Sequence, residues 1–500
     1  MSAAHDAGAA KLMGPGGAAP VRKLSIPAMA AYGTGQIAES LHSTGFGAFL
    51  IFYYQQIIGV SGTLTALALA ISLIFDSVAD PVVGALSDRT RSRLGRRHPF
   101  IILGALPLAL AFYLLFSPPQ GLTSAQAFLW LTLFSILARQ ALTFYLLPLT
   151  ALGAEMVRDY TQRSTLYNFT FMFGALSGTA AYMVALKVFF PTTGHFNPGM
   201  LNPEGYTRLG WYFGVGMVLA MVICVAGTWR EIPHLVVIER AANRLSVRQL
   251  VREVSEAFRN VSFRSLFFGT MLATIVLTID GVFGTYMGLH FWGLTTEQQA
   301  LLAPVSLVGL LVGGALVPAV TRWLDKKMTL IAAAVVSIFV GNSLVTTRLF
   351  DPAWFPDNGS PVLLPLIALT SFIGAAMAPL VYANLNSMFA DIVDEHELEI
   401  GERREGIVFA ASSFARKVTS SMGLVIGGMI LDFIHFPRSA VAGTVHQDVL
   451  WQMGLLSGPV SGVLVLIGVL MFMGHRLDRA RHGVILAELE RRRVAGPASQ

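Results

Sequence analysis

The sequence predicts an all-α membrane protein, with twelve transmembrane helices in two pseudo-symmetric six-helix bundles. Three observations predict it. Of 500 residues, 54% are hydrophobic and only 13% charged, against about 25% charged in a typical soluble chain; the mean hydropathy is +0.62. Twelve runs approach or exceed the roughly 20 apolar residues that a helix needs to cross a bilayer. Lys and Arg gather in alternate connections between those runs, the pattern that orients a chain in a membrane. So few charges cannot cover a soluble surface, and disorder, fibrous repeats and a disulfide scaffold are excluded. The single cysteine, Cys224, lies in an apolar run and has no intrachain partner. The net charge of +6 sits largely in loops, and no nucleic-acid partner is expected.

In chain order the runs span roughly 27–56, 62–87, 99–116, 125–154, 164–190, 208–229, 263–292, 297–322, 328–350, 361–389, 406–435 and 450–474. The first is too long for a signal-peptide core, so no cleaved leader is expected. Several exceed the bilayer thickness and imply tilt. The connection after span two holds Arg89, Arg91, Arg93, Arg96 and Arg97, and the segment after span six and the tail are equally basic. The opposite loops near 57–62, 117–126 and 292–297 hold no Lys or Arg. Both termini are therefore expected in the cytoplasm, with the chain multi-pass in the plasma (inner) membrane.

The expected domains are a disordered N-terminus (1–25), an N-terminal bundle (26–229), a cytoplasmic amphipathic linker (230–262), a C-terminal bundle (263–475) and a basic tail (476–500). Apolar spacing of three and four at Val247, Leu250, Val251, Val254 and Phe258 marks the linker helix. The tail segment 484–493 has the same pattern. A faint internal repeat links GALSDRTRSRLGRR from Gly84 with GALVPAVTRWLDKK from Gly314.

Charge in hydrocarbon is costly and marks functional positions. Six such residues are Glu39, Asp76, Asp80, Arg139, Asp280 and Lys417. At about 1.5 Å per residue, Glu39, Asp76 and Lys417 lie roughly 17–18 Å from the cytoplasmic ends of their spans, and the others lie about 12–26 Å in. They cluster near the midplane and come from both halves, as at an alternating-access site. Asp76 and Asp80 share a helix face. Two ionised carboxylates this close need a bound cation, a shared proton, or a nearby Arg or Lys. Hard cations such as sodium prefer such oxygen ligands, and Pro81 frees a backbone carbonyl beside the pair. Arg139 could neutralise the pair, meet a substrate anion or form a structural ion pair; these stay open. On the cytoplasmic side, the acidic segment 391–406 forms either a solvated turn or a charged latch with the Arg-rich loop 88–97. The latch residues are Asp88, Arg89, Arg93, Arg96, Glu155, Asp391, Asp394, Arg403 and Arg404.

Four stretches carry a resemblance. They are YGTGQIAES (32–40), DSVADPVVGALSDRTRSRLGRRHPFIILG (76–104), PLTALGAEMVRDYTQRSTL (148–166) and ADIVDEHELEIGERREGIVFAASSFARKV (390–418). In this order they resemble motifs of the glycoside–pentoside–hexuronide:cation symporter family of the major facilitator superfamily. The resemblance implies the major facilitator fold, a monomer, a small-molecule solute in a bilayer-embedded protein, and Na+ or H+ as coupling ion with no other cofactor. It implies cation-binding roles for Asp76, Asp80 and Thr143, with Lys417 beside them. Substrate or coupling positions follow at Glu39, Ser40, Arg139, Leu146, Thr150, Phe171, Asp280 and Lys417. The galactoside-transporting members carry an aspartate where Leu146 stands, an aspartate at Ser40, a tryptophan at Thr150 and an arginine near Phe171. Those departures point away from a galactoside, toward another glycoside or uronide, or toward an amphipathic, lysolipid-like solute. Two other classes stand beside the symporter. One is an uncoupled transporter or sensor. The other is an intramembrane prenyltransferase using the aspartates for magnesium, a class that expects a second aspartate-rich motif.

Overall fold

The structure is a computed structural model and describes residues 24–157, 159–235, 258, 260–400, 405–475 and 479–495. The expected disordered segment up to residue 23, most of the linker helix, and Arg403 and Arg404 lie outside the described residues. The first bundle comprises α1 (Ile26–Thr44), which continues through π-helical turns to Ile58, then α2 (Gly62–Arg89), α3 (His98–Leu115), α4 (Ser124–Met156), α5 (Tyr160–Val184) and α6 (Pro203–Thr228). The second comprises α7 (Val261–Tyr286), α8 (Thr296–Leu324), α9 (Lys326–Leu349), α10 (Leu363–Ile400), α11 (Glu405–Phe433) and α12 (Gln447–Phe472). A final helix, α13 (Arg479–Ala495), follows.

Among the described residues, ten helices are long and apolar enough to cross a membrane. The two remaining expected spans coincide with α1 and α11, which pack among the ten. The chain is thus a multi-pass membrane protein. Local chemistry sets the helix starts. Side chains of Ser61, Thr123, Asp159, Asn202, Asn260 and Thr295 each accept a first-turn amide, which satisfies donors that a helix leaves orphaned. Apolar side chains then face outward: Leu103, Leu106 and Leu110 on α3 are 60–71% exposed, as a lipid-facing stripe requires.

Small residues let helices approach closely where lipid provides no hydrophobic drive between them. A Cβ on Gly309 or Gly313 of α8 would strike the α10 backbone at Phe372 and Ala376. Across the two bundles, Gly62 of α2 meets Gly428 of α11 backbone to backbone, and a Cβ at 62 would lie 2.7 Å from the Gly428 carbonyl oxygen.

The bundles meet at the end opposite the basic loops. One continuous apolar cluster crosses both bundles there and includes Phe52, Tyr286 and Phe436. A separate cluster at the basic end, around Phe263, Leu330, Met388 and Ile392, is confined to the second bundle and α13. Along α2, Gly62 to Ser72 holds seven buried residues, whereas the basic-end half buries only Val83 and Ser87. The two bundles therefore form a wedge that is shut at one end and parted toward the basic loops.

Residues 391–400, expected as a turn or latch, instead extend α10 by more than two turns. Ile392 and Val393 are buried there, and Ile485 and Leu489 of α13 pack beside them. Burial on that side makes continued helix favourable, and Asp391, Asp394 and Glu395 fall on one face of it.

Candidate functional site

Asp76 and Asp80 stand one turn apart on α2, Thr143 on α4 and Lys417 on α11. The Thr143 hydroxyl donates to Asp76 Oδ1 at 2.5 Å and lies 3.5 Å from Asp80 Oδ1. Lys417 Nζ donates to Asp76 Oδ2 at 2.7 Å and to Asp80 Oδ2 at 2.5 Å. The ammonium thus sits between the carboxylates and bridges the two bundles. The side chains are 13% (Asp76), 31% (Asp80) and 24% (Lys417) exposed, so the site is largely but not fully withdrawn from water. Pro81 lies inside α2 and has no amide to give the Ser77 carbonyl. Two carboxylates, a hydroxyl and a free carbonyl form an oxygen set suited to a hard monovalent cation. Among the described residues, no group of three His, Cys, Asp or Glu has metal-site geometry.

Arg139 lies one turn from Thr143 but does not touch the pair. Its Nε donates to Ser72 Oγ at 3.0 Å, and its guanidinium carbon is 4.9 Å from the Phe46 ring centre. Among the described residues it makes no ion pair. Glu39 accepts from Gln36 at 2.7 Å and Ser43 at 2.6 Å within α1. Ser40 donates to the Gly174 carbonyl of α5 at 3.0 Å. Leu146 is half-buried against the core, while Thr150 is exposed and Phe171 is 52% exposed. Asp280 stands apart in the second bundle, where Ser461 donates to its Oδ2 at 3.0 Å and its Oδ1 is buried without a partner.

The expected latch is divided between the bundles in this conformation. Arg96 and Arg97 pair with Glu155, at 3.1 Å and 2.8 Å, and Arg97 also pairs with Asp88 at 2.5 Å. Lys326 pairs with Asp391 at 2.7 Å and His482 lies 3.1 Å from Asp394. Arg89 and Arg93 are exposed. The two clusters repeat one device. In each bundle a basic residue after the second helix holds an acid at the basic end of the fourth. Sequence reasoning placed Arg97 in the Arg-rich loop without singling it out, although it is the most buried basic member at 6% exposure, and it missed Lys326 and His482. Adjacent arginines in a loop have no periodicity to say which points inward; the repeat beginning at Gly314, which ends in Asp325, Lys326 and Lys327, was the available signal.

Sequence reasoning also missed the contacts that shut the opposite end. Asp432 of α11 accepts from the Gly62 and Thr63 amides at 2.8 Å each and from the Thr63 hydroxyl at 2.5 Å. Glu297 of α8 accepts from the Thr192 amide at 2.6 Å and hydroxyl at 2.9 Å. Tyr286 donates to Gln55 at 3.0 Å, and Gln56 accepts from the Ala440 amide at 2.8 Å.

The sequence model of the family described as MFS/sugar transport protein matches residues 31–479. The chain is 24% identical to the putative glycoside/cation symporter YagG of Escherichia coli, over 93% of this chain and 95% of that protein. It is also 24% identical to the sodium-dependent lysophosphatidylcholine symporter 1 of Mus musculus, over 92% and 87%. The solved structure of the nucleoside transporter NupG superposes with a TM-score of 0.59 at 14% identity, over 90% of this chain and 99% of that one. That likeness shows the fold.

Proposed function

Because the chain belongs to the MFS/sugar transport protein family, a family of transporters and not of enzymes, we propose that it is a cation-coupled symporter of a glycoside-type solute, working by alternating access. The observation that supports this best is the bridge from Lys417 to Asp76 and Asp80 across the bundle boundary. An ammonium between two carboxylates holds the place of a cation. Na+ or H+ arriving at the pair competes with that ammonium, cuts the bridge and frees α11 to move against α2. Ion and solute are then coupled because both bias one equilibrium between two wedge positions. The proposed cation ligands are Asp76, Asp80 and Thr143, with no other cofactor. The proposed solute path runs along Glu39, Ser40, Leu146, Thr150 and Phe171.

The proposed orientation puts the basic loops and both termini in the cytoplasm of an inner membrane, so this conformation faces inward. Closing the cytoplasmic end would bring Asp88, Arg89, Arg93, Arg96 and Glu155 toward Asp391, Asp394, Arg403 and Arg404. The protomer is proposed to act as a monomer. A lysolipid-like solute is the second reading, favoured by Leu146, where the resemblance places an aspartate in galactoside-transporting members, and by the half-exposed Phe171.

The test is the melting temperature of the purified protein in Na+ and in K+ at matched ionic strength, with glycosides, uronides and lysolipids in turn. A ligand that binds only the folded state raises it by mass action. A sugar-dependent rise that needs Na+ supports the first reading; a rise with lysolipid alone supports the second. Asp80→Asn should abolish cation-driven accumulation while leaving solute exchange. Concentrative uptake retained in that variant would sink the cation role.

A further inference from the structure

The reading above leaves Arg139 without a defined task, yet three helical segments hold it. α4 places it one turn from Thr143, Ser72 of α2 accepts from its Nε, and Phe46 of the first segment lies under its guanidinium. Ser72 is fully buried, one turn before Asp76. His42 stacks on Phe46 at 4.2 Å, 2% exposed and with both ring nitrogens unpartnered. Neither the phenyl ring nor the imidazole carries negative charge to offset the guanidinium.

Sorting charges by bundle separates what is fixed from what moves. At the site itself, Asp76, Asp80 and Arg139 belong to the first bundle and sum to −1, while Glu39 is held apart by Gln36 and Ser43 of α1. Lys417 belongs to the second and brings the total to zero when inserted. When it withdraws, a single negative charge remains. We propose that Arg139 is the specificity-determining residue that limits the Asp76–Asp80 site to one monovalent cation, an inference that rests on the cation site proposed above. Without it, two carboxylates of the first bundle would lack a counter-charge, and the site would draw in a divalent cation or a second monovalent one. The anchoring suits that task. A serine oxygen and an aromatic face hold the guanidinium without using a carboxylate, so both carboxylates stay free for the ion. Its serine anchor stands four residues, about 6 Å of helix rise, from Asp76. At an effective dielectric of about 20, a unit charge at that range changes cation affinity about a hundredfold.

The experiment titrates the melting temperature of the full-length protein with NaCl and, separately, CaCl2 at constant ionic strength. Wild type is expected to respond to Na+ with the slope of one ion and not to Ca2+. Arg139→Met should respond to Na+ at about a hundredfold lower concentration and gain a response to Ca2+. Arg139→Lys, which keeps the charge and changes the packing, should behave as wild type. Arg139→Gln keeps a donor for Ser72 without charge and gives the same readout if the methionine variant does not fold. An unchanged Na+ midpoint with no Ca2+ response in the uncharged variants, beside a responsive wild type, would overturn the proposal alone. A wild type whose melting temperature does not respond to Na+ would instead overturn the sodium site on which the proposal rests.

Discussion

Lys417 brings its charge across the bundle boundary, so removing it differs in kind from removing either aspartate. Lys417→Met leaves two partly buried carboxylates without their counter-ion, and stripping one partner from such a pair destabilises. With Asp80 about a third exposed, water screens part of the loss, and about 2 kcal/mol is the expected cost in K+ buffer. Na+ no longer has to displace an ammonium, so the variant should bind Na+ more tightly than wild type and regain stability on Na+ addition. Thermal melts in both salts check this, and weaker Na+ binding in the variant would refute competition between lysine and ion. Thr143→Val removes one hydroxyl at nearly constant shape. The lost bond to a charged carboxylate is worth about 1.5–3 kcal/mol, so Na+ affinity should fall about tenfold or more in the same melts. These positions were legible in the sequence because charge and hydroxyl inside apolar runs stand out. Their pairing was not. The sequence left open whether Arg139 or Lys417 answers the aspartates, since both are long cations at similar depth. Only the packing of α11 on α2 decides.

The helices that hold shut the end opposite the basic loops, the outer end in the proposed orientation, come in two related pairs. α11 reaches the start of α2 through Asp432, and α8 reaches Thr192, in the segment just after α5, through Glu297. Second and fifth helices of one bundle meet fifth and second of the other, so pseudo-symmetry delivers a carboxylate clamp twice. Asp432 also sits on the amino end of α2, where the helix dipole favours an anion. Asp432→Ala removes three charge-assisted bonds and should tilt the equilibrium toward the outward-open form by at least about 2 kcal/mol, a factor of about 30. Distances between spin labels on the outer ends of α2 and α11 would lengthen; an unchanged distribution would deny Asp432 a gating role. Helix limits were legible to within a few residues because apolar length and capping residues act locally. The clamps were not, because each joins residues far apart in sequence. Nor was the extension of α10 to Ile400. Its acidic composition suggests solvent, and only packing beside Ile485 and Leu489 makes helix favourable there.

A wedge shut at one end and parted at the other is one member of a pair of states, and its inner seam shows where the hinge must act. Contacts across the seam run from Gln55 and Thr285 at the outer end to Lys417 near the midplane. The basic-end clusters, by contrast, pair within each bundle. Rocking each bundle as a rigid body about the midplane would open the first set and bring the second together without disturbing either core. Transport by that motion requires the outer seam to part in every cycle. The Thr192 and Thr296 hydroxyls meet at 3.0 Å across the seam, so cysteines at 192 and 296 would face each other there. The native Cys224 is buried at 1% exposure and should not interfere. Oxidising Thr192→Cys/Thr296→Cys in membrane vesicles should stop solute uptake, and reductant should restore it, while each single cysteine variant transports in both conditions. Uptake that persists in fully cross-linked protein would mean that the outer seam need not open, and alternating access by bundle rocking would fall with it.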